Sequence, residues 1–260
     1  MTLLHALPVT LAAVAAVLAV TFAVALKVGK HSVIDVAWGL GFAVVAVVGF
    51  VLSSGSGDPA TRVLITVLTV VWGVRLAVHI GLRNRGAGED PRYVKLLSRA
   101  TGNPALYVLR TVYLAQGVVL WFVSLPVQFA LFEPDPLSWI AWIGVAVWLV
   151  GFGFESVGDY QLTRFKADPG NKGAVMDRGL WRYTRHPNYF GDACVWWGLF
   201  LIAAAHWPGC LTILSPLLMT YLLAKVTGKP ILERQLGGRP GYAEYIRRTS
   251  GFIPRPPRKS

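Results

Sequence analysis

An all-α, polytopic integral membrane protein with seven transmembrane helices is the fold that this 260-residue chain predicts. Three observations carry that reading. Hydrophobic residue types make up 54% of the chain and charged types only 15%, where a soluble domain carries about 25% charged residues. Mean hydropathy is +0.52. The apolar residues come in blocks of about 20, the length a helix needs to cross a bilayer. The basic residues, finally, are sorted by loop. This composition excludes disorder, a secreted disulfide scaffold and an ordinary soluble enzyme. Cys194 and Cys210 lie in or beside apolar segments and outline no disulfide framework.

The blocks lie at about 6–26, 33–52, 62–82, 105–131, 137–158, 189–206 and 210–226. The first reads as a retained helix: it lacks a basic n-region, and Lys27-Val28-Gly29-Lys30 stands where a small-residue cleavage site would be. The fourth is overlong and contains Pro126, which predicts a kink or tilt. Only Trp207-Pro208-Gly209 separates the sixth from the seventh, which predicts a tight helical hairpin. No internal repeat interrupts the pattern. Residues 1–260 read as one membrane domain, with soluble segments at 83–103, 159–188 and 227–260.

Segments 27–31, 83–103, 159–188 and 225–260 carry 2, 5, 6 and 9 Lys+Arg. The opposite loops, 53–62 and 132–136, carry Arg62 against Asp58, Glu133 and Asp135. The positive-inside rule then predicts an amino terminus outside and a carboxy terminus in the cytoplasm. The net charge of +12 reads as topology and contact with anionic membrane lipid, not as a nucleic-acid surface.

Ionisable groups inside a bilayer cost several kcal/mol unless paired or wetted, so each is a functional candidate. This chain has Asp35, Arg75, His79, Arg110, Glu155, Asp159 and Asp192. On the topology above, all fall in the cytoplasmic half of their spans, which a cavity open to the cytosol explains. Asp35 is placed to pair with Arg75 or to serve chemistry. His79 lies one turn beyond Arg75 on the same face, as a core histidine or a proton donor. Arg110 reads as a snorkelling side chain. Glu155 and Asp159 share a face and repel unless a cation or donors lie between them.

The densest polar stretch runs from Asp159 to Asp192. It holds Arg164, Lys166, Lys172, Arg178, Arg182 and Arg185, the turn Pro169-Gly170-Asn171-Lys172-Gly173, and Trp181, Tyr183, Asn188 and Tyr189. Arg and Lys suit phosphate oxygens, and Trp and Tyr offer flat faces to a purine or nicotinamide ring. Pro187 opens a helix without loss. The stretch reads as a site for a nucleotide-sized anion at a helix N-terminus; the alternative is a basic, lipid-facing loop. No dinucleotide-binding glycine fingerprint, P-loop or metal-spaced Cys/His cluster is present, so no metal site is expected.

Residues 155–256 resemble the carboxy-terminal region of the steroid 5-alpha-reductase superfamily of membrane enzymes, and most of all its bacterial steroid 5-alpha-reductase-like members. Sterol C14-reductases and isoprenylcysteine methyltransferases are related. The resemblance rests on Gly179-Leu180-Trp181-Arg182-Tyr183 running into Arg185-His186-Pro187-Asn188-Tyr189-Phe190-Gly191-Asp192. It is joined by Asp159-x-Gln161 with Phe165-Lys166 and Pro169, and by Glu233-Arg234-Gln235-Leu236 with Tyr242-Ala243-Glu244-Tyr245. It implies an NADPH-dependent oxidoreductase of the bacterial cytoplasmic (inner) membrane. Such an enzyme reduces a carbon–carbon double bond in a steroid-like or other lipid substrate, with its active site facing the cytoplasm.

By motif position, Asp159, Lys166, Trp181, Tyr183, Arg185, His186, Asn188, Asp192, Glu233 and Tyr245 are implied to line the cofactor, within a cofactor-binding region of about 155–256. Charge and place add Arg164, Lys172 and Arg178 as phosphate contacts. The chain departs from sterol reductases at Leu162, where they have a lysine. Four residues after Arg75, where the 5-alpha-reductases have a proton-donating tyrosine, it has His79. The expected catalytic set is therefore His79 oriented by Asp35 or Arg75. The runner-up is an S-adenosylmethionine-dependent membrane methyltransferase of the isoprenylcysteine type, which shares the Arg-His-Pro motif.

Overall fold

In the computed structural model, which describes residues 1–258, six helices are long and apolar enough to cross a membrane: Leu3–Val28, Val33–Leu52, Pro59–Asn84, Pro104–Val123, Trp139–Ala167 and Gly209–Leu236. No strand occurs among the described residues; one isolated bridge joins Thr184 to Ser250. The block expected at 189–206 is a helix of 17 residues, Pro187–Ala203, and the one expected at 210–226 belongs to the longer run. Two compact units form: Met1–Ser138 with Ala203–Thr212, and Trp139–Ile202 with the chain from Ile213 onward.

In the first unit, α1 (Leu3–Val28) stops at Gly29, whose φ of 72° is a left-handed turn open to glycine at little cost. After α2 (Val33–Leu52), α3 (Pro59–Asn84) starts on the Asp58 side chain, which accepts from the Thr61 N–H at 2.8 Å. Asp90 starts α4 (Pro91–Leu97) and Asn103 starts α5 (Pro104–Val108) in the same way, at 2.8 Å from Arg92 N and 2.9 Å from Ala105 N. In all three a proline follows the cap, where its missing N–H would be unpaired anyway.

From α5 the chain passes through a π-helical turn, Leu109–Leu114, into α6 (Ala115–Val123). The kink expected from Pro126 falls at Ser124, before α7 (Leu125–Ala130). α2 and α3 touch at Gly39 and Gly73, where a Cβ on either would overlap the carbonyl oxygen of the other. Lipid tails are as apolar as leucine, so such close backbone approach is what packs helices in a bilayer. The outer face of α3 is left to lipid: Val63, Val67, Val71, Val74, Val78 and Leu82 are 41–65% exposed along one stripe.

The second unit contains α8 (Trp139–Ala167), α9 (Pro187–Ala203), α10 (Leu214–Tyr221) with its π-helical continuation Leu222–Val226, α11 (Lys229–Leu236) and α12 (Tyr242–Arg248). A glycine every seven residues on α8 sets the antiparallel packing of α8 on α9. A Cβ at Gly144 would lie 2.7 Å from Gly198 O, and one at Gly151 2.6 Å from Gly191 O. At Gly158 it would lie 3.1 Å from Pro187. Seven residues are two turns, so the three positions share one face.

Candidate functional site

The carboxy-terminal end of α8, the 168–186 segment and the carboxy-terminal segment build one site within the second unit. Gln161 accepts from the Leu180 N–H at 3.0 Å. Gly179 allows this at φ 58°: a Cβ there would lie 2.5 Å from the Gln161 amide. The next residue but one, Trp181, donates its indole N–H to Gly158 O at 3.0 Å, and the Tyr245 hydroxyl donates to Trp181 O at 2.6 Å. The tail is thereby tied to α8 through one tryptophan.

Arg185 makes the second tie. It is 9% exposed, and its Nε donates to Glu233 Oε1 at 2.8 Å, with Nη2 also 2.8 Å away. Its Nη1 donates to Ile246 O at 3.2 Å and Thr249 O at 2.5 Å. The Arg185 N–H reaches Ser250 O at 2.9 Å, and the Thr184 hydroxyl reaches Phe252 O at 2.8 Å. Arg248 closes the tail further through an ion pair with Asp177.

Next to this clamp is His186, 2% exposed. Its ring stacks on Tyr189 with centroids 5.4 Å apart, and Nε2 lies 3.3 Å from Glu233 Oε1. Its Nδ1 is buried with no hydrogen-bond partner. Burial holds its pKa below the usual imidazole range; the Glu233 carboxylate opposes this, and the Arg185 and Lys229 charges add to it. His186 is therefore neutral at pH 7. Burial likewise pushes the Tyr242 and Tyr245 hydroxyls up.

A cavity of about 540 Å³ opens beside these residues, within the range of small-ligand sites. Its cationic side comes from Lys166, Lys172, Arg185 and Arg239, its aromatic side from Phe165, Trp181, Tyr242 and Tyr245, and His186 lines it as well. The combination suits an anionic ligand that carries a flat ring.

Of the residues expected at the cofactor, Lys166, Lys172, Trp181, Arg185, His186 and Tyr245 line this cavity. Glu233 holds Arg185 and His186. Asp159 and Asn188 pair with each other, Nδ2 to Oδ1 at 3.2 Å, and Asp192 is buried on α9. Arg164, Arg178 and Tyr183 are exposed and do not line it; Arg164 instead donates to the Tyr160 hydroxyl at 3.1 Å. Gln235 and Tyr242, which belong to a quoted motif but were not expected at the cofactor, line the cavity too, as does Arg239, which no motif names. A signal existed for Arg239: it lies in Gly237-Gly238-Arg239-Pro240-Gly241, a turn that presents a cation between two helices.

Of the expected catalytic residues, Arg75 and His79 lie on α3 in the first unit and Asp35 on α2. Two donors from α4 reach Asp35. Asp35 binds Arg92 at 2.6 Å and accepts from the Tyr93 hydroxyl at 2.7 Å, because α4 brings two donors to the start of α2. The neighbouring Glu89 accepts from the backbone N–H groups of His31 and Ser32, the latter at 3.0 Å. Burial raises the Glu89 pKa, but those bonds outweigh it and hold the carboxyl below its ordinary range.

The chain matches the family described as "Protein of unknown function (DUF1295)" over residues 21–249 and belongs to that family, which is part of the steroid 5-alpha-reductase-like group. No curated protein and no solved structure matches it.

Proposed function

We propose that this DUF1295 member is an NADPH-dependent membrane reductase of a carbon–carbon double bond in a steroid-like or other lipid substrate. The observation that carries the reading is the cavity that joins Lys166, Lys172 and Arg239 to Trp181, Tyr242 and a neutral His186 with an unpartnered Nδ1. These residues fit the cofactor. Arg185 is committed to Glu233 and two carbonyls, so the phosphates fall to Lys172 and Arg239, with Lys166 lining the same cavity. Trp181 and Tyr242 offer ring faces, and His186 Nδ1 offers a polar contact to a carboxamide or ribose hydroxyl. NADPH, when bound, supplies a hydride. Arg185 and Glu233 are positioning residues that keep the tail in place as a wall of the site. His79 is proposed as proton donor, with Arg75 one turn away.

We also propose seven spans, an outer amino terminus and an inner carboxy terminus in a bacterial cytoplasmic membrane. Within the first unit Ser56 bonds Met1 O at 2.9 Å, Asp58 N bonds Glu133 O at 2.7 Å, and His206 reaches Pro136 O at 3.1 Å. These loops share one end. The Lys30-to-Ala87 bond and the Asp35–Arg92 pair mark the other, which carries the basic segments 27–31 and 83–103. A helix of 17 residues spans about 26 Å, at the lower limit for crossing a bilayer core of about 30 Å.

The test is tryptophan fluorescence of the purified chain in detergent. NADPH is expected to quench it and S-adenosylmethionine is not; Lys172→Glu with Arg239→Glu should weaken NADPH at least tenfold. Quenching by S-adenosylmethionine alone would move the assignment to the methyltransferase, which Arg185-His186-Pro187 favours. Turnover is then sought as NADPH oxidation with 3-oxo-4-ene steroids and polyprenyl lipids, with His79→Phe expected to bind cofactor and not react. An absence of nucleotide binding overturns the reductase.

A further inference from the structure

We propose that Glu133, Asp135 and His206 form a binding site for one divalent transition-metal ion, at the end of the first unit that carries the amino terminus. The ligating atoms of the three side chains lie within 4.8 Å of one another. His206 comes from the turn after α9, 70 residues beyond Pro136, so no local motif announces the cluster.

The placement of His206 fits a cation. Its Nε2 lies 3.1 Å from Pro136 O, a pure acceptor, so Nε2 carries the proton. Nδ1 faces Asp135 Oδ2 at 3.6 Å. That separation is too long for a hydrogen bond. Nitrogen and oxygen ligands at about 2.0–2.2 Å from a zinc-like ion are held about 3.0–3.6 Å apart, which is this spacing. A metal-bound histidine usually donates its other ring N–H to a carbonyl or carboxylate, as Nε2 does here.

Charge and fixation agree. The one basic residue of loops 53–62 and 132–136, Arg62, is turned away: Nε donates to Ser53 Oγ at 2.8 Å, Nη2 to Phe50 O at 2.6 Å, and the guanidinium lies 4.6 Å above the Phe50 ring. Asp58 is spent on capping α3. The Glu133 and Asp135 carboxylates therefore have no lysine or arginine to balance them in these loops. Glu133 is held in place, its carbonyl by Asp58 N at 2.7 Å and its Oε1 by Asp135 N at 3.1 Å. One imidazole and two carboxylates suit Zn²⁺, Mn²⁺ or Co²⁺ better than Ca²⁺, which takes oxygen ligands alone. Three protein ligands leave a position for water. The ion would staple the turn after α9 to the loop before α8.

The test uses the full chain in detergent, stripped with a chelator and titrated with Co²⁺ and then Zn²⁺. We expect one equivalent of Co²⁺ with a visible absorption band, displaced by Zn²⁺, and a rise in melting temperature with Zn²⁺. Asp135→Asn and His206→Gln should each weaken Co²⁺ at least tenfold and abolish the thermal shift. His5→Gln, at the amino terminus, should change neither. No Co²⁺ band, or a band that survives both site variants, overturns the site. Asp135 is exposed, with 67% of its side chain accessible, so its asparagine variant retains the fold and keeps the test decisive.

Discussion

Replacing Arg185 by methionine is expected to release the carboxy-terminal segment from the cavity wall. The guanidinium is 9% exposed and serves Glu233 at 2.8 Å, Ile246 O at 3.2 Å and Thr249 O at 2.5 Å. Methionine fills much of the volume but leaves Glu233, itself 21% exposed at the side chain, with His186 as its remaining partner in this clamp. Two carbonyls also lose their charged donor. The three partners share one group and their contributions are not additive, so the cost is that of breaking a buried pair, about 3–5 kcal/mol. At 1.4 kcal/mol per decade, opening of the 242–252 segment should become about 10²- to 10³-fold more frequent or more.

Amide hydrogen exchange in detergent, read by mass spectrometry over 242–252, measures that opening directly. Arg185→Lys keeps the charge without the fork and should fall between the two. Arg182→Met, on an exposed side chain nearby, should exchange like the parent. If Arg185→Met exchanged within threefold of the parent over 242–252, the clamp would not be what holds the tail, and the cavity wall would need another explanation.

Two further outcomes follow from the packing and from the buried imidazole. Gly151→Ala should push α8 and α9 apart and cost about 1–3 kcal/mol, because its Cβ would meet backbone atoms 2.6 Å away. Gly153→Ala, with nothing within 4 Å, should be neutral or stabilising, and melting temperatures of the two variants separate the cases. For His186 the folded pKa lies below the ordinary 6.5, so the folded state prefers the neutral ring. That stability is complete above the unfolded pKa and is lost as pH falls below it. The melting temperature should therefore drop between pH 7.5 and 5.5, and His186→Gln should flatten that part of the profile; an unchanged slope would refute it.

The apolar blocks were legible because transfer into a bilayer is decided residue by residue along a run. The positions of Leu3–Val28, Val33–Leu52 and Pro59–Asn84 follow from it to within a few residues. The break near Pro126 was legible too, since proline acts on its own backbone. The count of crossings was less so: Pro187–Ala203 is short, and the run from Gly209 continues past its apolar part to Leu236. Polar partners were the least legible. Nothing local to Asp35 shows that Arg92 and Tyr93 reach it from α4, a short helix that lies beyond the whole of α3.

The sequence alone determined that this chain is a bundle of apolar helices with a basic, aromatic segment at 159–192, because hydrophobicity, charge and capping act over a few residues. Only the tertiary structure decided which side chains meet. Arg239 and Tyr242 join Lys166 and Trp181 because Arg185 and Thr184 fold the tail back, and His206 joins Glu133 and Asp135 because α9 returns the chain to that end. Such meetings depend on the summed path of many residues, and on glycines that let backbones touch, and no local pattern encodes them.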